Sequence, residues 1–469
     1  MKSLSWKSPS LIASVLLLSL FPRLTSGQEW VLLTVDRGVK PSLELDSNGY
    51  PQISYMLEAM DGFVKHAAWN PSTNQFDTAT ASVGYFYGPL DLALDQNNVP
   101  HMSYHDHTLT DQIHSYFMSG NWVNERVMSP GHDGWDNSIL IDGNNQPHTS
   151  TIDPSIFGGV GVEYAYFDGS QWNVEAIGSG GIMYANATSL ALDSRDRPNI
   201  TYYDDRFTDL MYAVKDSGQW TIIAVDTDGD VGRYSSLQID SADVLHVSYY
   251  HHLSESLGLI KYAVRDSTEW TITTLDTLRN VSLSFARNMT SLVLDSNGRP
   301  RIAYSDQSVL KYATFTGSSW VNDTVVIDSN LALGQLASLK LDVLDRPHIA
   351  YFAVTSFPPL DGNVMYATQN TTSDVRPGPT FPDGFSLSQN YPNPFNATTT
   401  FTFSLRSSIF ANLTIYDLLG REVAPLVNEK LEAGTHARRW DATGQPSGVY
   451  FYRLTTPEYV ETRKLVLLR

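Results

Sequence analysis

The chain has 469 residues and a formal net charge of −19. Hydrophobic residues make up 42% and charged residues 17%, enough apolar material to bury a core over two or three domains. The absence of cysteine excludes disulfides, thiol nucleophiles and thiolate-held metal clusters, and the acidity argues against nucleic acid or an anionic membrane surface as partner.

The chain opens with Lys2 and Lys7, followed by an apolar run from Leu11 to Phe21 and small residues at Thr25 and Gly27. This pattern predicts a secretory signal over 1–27, cleaved before Gln28. The run is too short to span a bilayer, and no later stretch predicts a membrane helix.

From 28 to 369 the sequence repeats. A phrase of the form Ser-Leu-x-Leu-Asp recurs with its Asp at Asp46, Asp95, Asp142, Asp193, Asp240, Asp295 and Asp342. Pro follows five positions later (Leu245 is the exception), and Tyr nine positions later (Thr151 is the exception). A Tyr-Ala phrase comes next, at Tyr164, Tyr212, Tyr262, Tyr312 and Tyr366, with His66-Ala67 and Ser115-Tyr116 as its variants in the first two units. A run beginning at Trp122, Trp172, Trp220, Trp270 or Trp320 closes each unit, with Phe76 in the first. Each unit holds four short runs with side-chain period two, which predicts four strands per unit and a β-propeller. The seventh unit lacks a Trp run after Tyr366, while Trp30–Asp36 matches Trp220–Asp226. The expected fold is therefore all-β: a seven-bladed β-propeller closed by the N-terminal strand, then a small immunoglobulin-like β-sandwich.

Residues present in nearly every unit read as scaffold. The repeated Asp is expected to cap a turn, and the Tyr and Trp to fill space between neighbouring sheets. With the Trp run outermost, the Leu-x-Leu run lines a central channel. The ends of the second strands and the starts of the first then share one face. The candidate ligand-binding residues on that face are Tyr85, Tyr87, His105, Asp106, His107, Trp135, Asp204, Arg206, Arg233, His251, His252 and Asp306. His132, Asp205 and Tyr234 lie beside them. Aromatic faces with carboxylates and imidazoles suit sugars, which present C–H faces and hydroxyl edges. His105 and His107 with His251 and His252 are candidate ligands for a divalent metal; no other cofactor is expected. Asp226-Thr227-Asp228-Gly229-Asp230 matches a calcium loop only loosely, and Asp226 has scaffold counterparts at Asp36 and Asp276. Residues 28–369 hold 18 basic and 41 acidic side chains, so nearly all the acidity lies there.

A linker follows at 370–382, rich in Pro, Thr and Ser. Beyond it stand Gln389-Asn390-Tyr391-Pro392-Asn393-Pro394-Phe395-Asn396, then Ile415-Tyr416-Asp417-Leu418-Leu419-Gly420-Arg421-Glu422-Val423, then Ser447-Gly448-Val449-Tyr450-Phe451-Tyr452, and a final Lys464-Leu465-Val466-Leu467-Leu468-Arg469. These four ordered blocks, over 383–469, resemble the C-terminal sorting domain of type IX secretion cargo. The resemblance implies an immunoglobulin-like sandwich read by the secretion machinery, and a place outside the cell or on its surface. It implies nothing about what the cargo does.

The residues favour a binding module for a glycan or protein over an enzyme, because no nucleophile elbow, metalloprotease helix or phosphate loop is present. The alternative is a polysaccharide-degrading hydrolase or lyase using the same face. For that chemistry Asp106 and Asp204 are candidate carboxylates, though Asp recurs at that position in other units. A structural or adhesive role is a third reading.

Overall fold

The computed structural model describes residues 29–57, 62–86, 88–127, 134–153, 161–179, 188–204, 206–254, 256–266, 269–279, 290–306, 309–327, 333–356, 361–370, 386–387, 390, 393, 395–405, 409–418, 420–431, 434–457 and 459–468. The expected signal segment, most of the expected linker, Tyr87, His132 and Asp205 lie outside them. Every regular element among the described residues is a strand, and the sheets within 29–370 are four-stranded and antiparallel in a propeller-like arrangement.

Within 29–370 the described strands form seven such sheets. The first runs Val39–Leu45, Pro51–Leu57, Gly62–Asn70, Gln75–Gly84. Five more follow in chain order over 91–126, 135–179, 189–226, 230–279 and 290–327. The last combines Leu333–Leu341, Pro347–Ser356 and Asp361–Asn370 with Glu29–Arg37, whose Leu33 stands opposite Tyr366. The expected borrowing of the N-terminal strand is thus present.

Four repeated contacts explain why this sequence folds so. The repeated Asp caps its turn in all seven sheets. One carboxylate oxygen accepts the amides two and four residues on, at 2.7–3.0 Å. The residue three on takes a φ of 57–79° and is Gly, Asn or Asp, the types that tolerate it.

The outer Trp of each sheet, or Phe76 in the first, stands edge-on to a ring on the third strand of the sheet before it, with centroids 5.3–5.9 Å apart. The series closes on itself, since Trp30 meets Tyr312 and Phe76 meets Tyr366. The register also corrects one sequence alignment. His114-Ser115, not Ser115-Tyr116, occupies the Tyr-Ala position of the second unit, because Trp172 packs on His114 and His114 lies opposite Ser103.

A bulge on the outer strand skips Val35, Val225 and Leu275, so that the following Asp points at the next sheet. There the second-strand Tyr and a third-strand Lys bind it: Tyr55 and Lys65 on Asp36, Tyr249 and Lys261 on Asp226, Tyr304 and Lys311 on Asp276. The loose calcium-loop match is thereby explained, because the Asp226 carboxylate is held by Tyr249 and Lys261.

The first strands line the axis. Ser42, Ser138, Ser189, Ser236, Ser291 and Ser338, with Asp91 in the second sheet, each accept the amide of the following residue type on the neighbouring first strand. The distances are 2.9–3.5 Å, and the ring runs round from Leu92 N on Ser42 to Leu43 N on Ser338.

The C-terminal part holds two sheets. One orders Ser386–Leu387, Thr398–Leu405, Gly434–Asp441; the other orders Glu422–Leu431, Ile409–Tyr416, Gly448–Thr455, Val460–Leu467. Phe401, Phe403, Leu413, Ile415, Tyr452 and Leu465 from both sheets share one apolar core. Its opening motif is locked to its end: Asn393 Oδ1 accepts Val466 N at 2.9 Å, and Phe395 bridges Leu467.

Candidate functional site

The ends of the second strands meet the starts of the first strands, within the second sheet at Tyr85 and between the fourth and fifth sheets at Val231. His107 N donates to Tyr85 O at 2.8 Å, and Val231 N to Thr208 O at 2.9 Å. Glycine makes this approach possible. Gly232 has φ +103°, and a Cβ there would stand 2.6 Å from Leu210 Cα; Gly134 lies in the same way over Gln112.

The structure gathers the candidate residues into two groups. The first joins the second and third sheets. The Tyr85 and His107 rings lie edge-to-face with centroids 4.7 Å apart. His107 is 6.4 Å from Trp135, and His105 is 5.0 Å from Trp135. Tyr85 and His107 are exposed, Trp135 is half-buried and His105 is buried. The result is a wall of rings whose outer members face solvent.

The second group joins the fourth and fifth sheets. Arg233 Nε and Nη2 donate to the two oxygens of Asp230 at 2.9 and 3.0 Å, and Nη2 also donates to Tyr203 Oη at 3.0 Å. The guanidinium stacks 4.7 Å above the Tyr203 ring. Tyr250 Oη lies 3.5 Å from His252 Nδ1, and burial pushes the Tyr250 phenol up to about 12.

Other candidates serve the scaffold. Asp106 Oδ1 accepts Thr108 N and Leu109 N, and Asp204 Oδ1 accepts Arg206 N, so both cap turns. Asp306 lies 3.5 Å from Lys311, which also binds Asp276. His251 is buried, which lowers its pKa, and Lys261 lowers it further. Arg206 is exposed, with its guanidinium 5.2 Å from the Phe207 ring. Among the described residues no three His, Asp or Glu side chains are placed to hold a metal ion together.

Sequence reasoning missed Phe207, which is 62% exposed on the same face. It also missed Tyr203 and Asp230. Tyr203 follows the repeated Tyr202 and was hidden by it. The signal for Phe207 was an apolar ring in a loop between two polar residues.

Residues 389–468 match the family model of the secretion system C-terminal sorting domain. Such a tail implies export to the cell surface or outside the cell. No curated protein matches the chain. Among solved structures, a polysaccharide lyase, the PL25 ulvan lyase, is similar in fold at 12% identity and a TM-score of 0.51. The match covers 73% of this chain and 96% of that one, both for the free lyase and for the lyase bound to a glucuronate and rhamnose-sulfate saccharide. The polysaccharide lyase Uly1 is similar at 11% identity and a TM-score of 0.46, over 71% of this chain and 90% of that one. Among the described residues no helix is long and apolar enough to cross a membrane.

Proposed function

We propose that the chain is an exported saccharide-binding protein. In this reading residues 28–369 are a seven-bladed β-propeller, and 383–469 an immunoglobulin-like sorting sandwich tied to it by a linker over 370–382. Residues 1–27 are a secretory leader that directs first export. The closed series of edge-on rings and the closed ring of axial hydrogen bonds support the propeller reading.

One observation carries the binding role: Tyr85 and His107 at the edge of the second sheet and Trp135 at the start of the third form one wall, with Tyr85 and His107 in solvent. Such rings pack on the C–H face of a pyranose, and the imidazole bonds its hydroxyls. Phe207, with Arg206 stacked beside it, extends the apolar surface across the same face.

Binding is favoured over β-elimination by the second group. Arg233 is taken up by Asp230 and Tyr203, and the Tyr250 phenol stays protonated near neutrality. Among the described residues of this group, the one guanidinium is therefore engaged and the phenol is protonated, which suits binding better than proton abstraction.

Affinity electrophoresis of the full chain through gels cast with neutral polysaccharides tests this reading. At least one should retard the protein, and Tyr85→Ala should restore its mobility. Unchanged mobility throughout a broad panel removes the saccharide reading.

A further inference from the structure

The axial ring carries one departure from its own repeat. Where six first strands hold Ser, the second sheet holds Asp91. Ser is sufficient for the ring, because its hydroxyl accepts the neighbouring amide. Asp91 Oδ2 does the same for Ile139 N at 3.0 Å. Its Oδ1 accepts Ser42 Oγ at 2.7 Å and Leu92 N at 3.0 Å. Asp in place of Ser therefore keeps the ring's amide bond and adds an acceptor for Ser42 Oγ and a negative charge.

That charge lines a cavity of about 120 Å³ at the axis, which continues into a second of about 400 Å³. Among the described residues, the other charged ones lining these cavities are Glu44 and Lys340, which pair with each other at 2.5 Å. With two carboxylates and one ammonium, the three side chains together carry one net negative charge when ionised. Asp91 Oδ1 already accepts two bonds, whereas Oδ2 accepts one and keeps a lone pair.

A second observation stands on the same wall. Asn137 is 5% exposed, and its Nδ2 donates to Pro89 O at 3.2 Å and Gly134 O at 3.0 Å. Those bonds fix which way the amide faces. Its Oδ1 is buried, with no hydrogen-bond partner among the described residues. A buried amide oxygen left so is costly unless something meets it.

We propose that the upper axial channel binds a hard, oxygen-ligated cation at Asp91. The carboxylate of Asp91, the amide oxygen of Asn137 and the hydroxyl oxygens of Ser42 and Ser138 are its protein ligands, and water completes the shell. All four are hard donors, the set that calcium, magnesium and the alkali cations take. The ion ties the first three sheets at the axis and is independent of the saccharide reading.

The test uses the full chain, stripped with a chelator and held at constant ionic strength with choline chloride. Adding CaCl2, MgCl2, KCl or NaCl should raise Tm by about 3 °C or more, saturably, for at least one of the four. The four arms distinguish a divalent from an alkali ion. Asp91→Ser gives this sheet the residue that the six others carry, so it should fold and lose the rise. Asp91→Asn keeps the side-chain shape and should lose it as well. A wild-type chain that answers to none of the four cations overturns the proposal, and so does a rise that both variants retain.

Discussion

The indole nitrogen of Trp30 donates to the Asp323 carboxylate at 3.2 Å, across 293 residues of sequence. Its ring also stands edge-on to Tyr312. The N-terminal strand is thus held by its own sheet through the ladder to Asp361–Asn370 and by the preceding sheet through one side chain. Trp30→Ala should cost about 2–4 kcal/mol, read from the urea midpoint. Removing 29–37 should bare the edge of Asp361–Asn370 and give oligomers in size-exclusion chromatography.

Asp226 supplies a second prediction. Tyr249 Oη and Lys261 Nζ donate to one of its oxygens at 2.6 and 2.9 Å, with Lys261 and Asp226 both buried. Burial pushes the carboxyl up, but the Lys261 and Tyr249 bonds outweigh it and hold the pKa below the usual value. Asp226→Ala leaves a buried ammonium and phenol without their acceptor and should cost about 3–5 kcal/mol. Val343→Ser, at a turn residue 84% exposed, should leave the urea midpoint unchanged.

Acid sensitivity follows from two histidines. Burial lowers His66 to about 4, and burial with the neighbouring His114 lowers His101 to about 4. Between that value and 6.5 the unfolded chain binds more protons than the folded one, so stability falls as pH falls. The stabilisation is present above about pH 6.5 and is lost progressively toward pH 4, at most about 3 kcal/mol for each group. Tm measured from pH 7 to pH 4 should drop with this sign, and His66→Leu should flatten the profile.

The scaffold was legible because repetition amplifies weak signals. One Leu-x-Leu-Asp phrase says little, whereas seven in step locate the turn between the first and second strands of each sheet, and each of those Asp residues caps as expected. The unmatched Trp30 run gave the borrowed strand for the same reason. The face was harder to read. Asp106 and Asp204 have the composition of site residues, but the backbone amides of their own turns use them. Tyr203 and Asp230 become visible only when Arg233 folds between them, a contact that no spacing in the sequence encodes. Asp91 was in plain view as the one break in a Ser position, although a count of matching units passes over the mismatch.

The sorting domain makes a prediction independent of the ligand. Deleting 389–468 should leave the rest of the chain folded and trap it inside the cell envelope. Fractionation and immunoblotting would detect it there, and undiminished export would rule the tail out as the address.

The most direct measurement is a glycan array probed with the full chain beside Trp135→Ala and Val343→Ser. Binding on the rim predicts a small set of saccharide hits for wild type, the same hits for Val343→Ser at its remote turn, and loss of at least tenfold in signal for Trp135→Ala. A blank array, or hits that survive Trp135→Ala at full strength, would contradict the account.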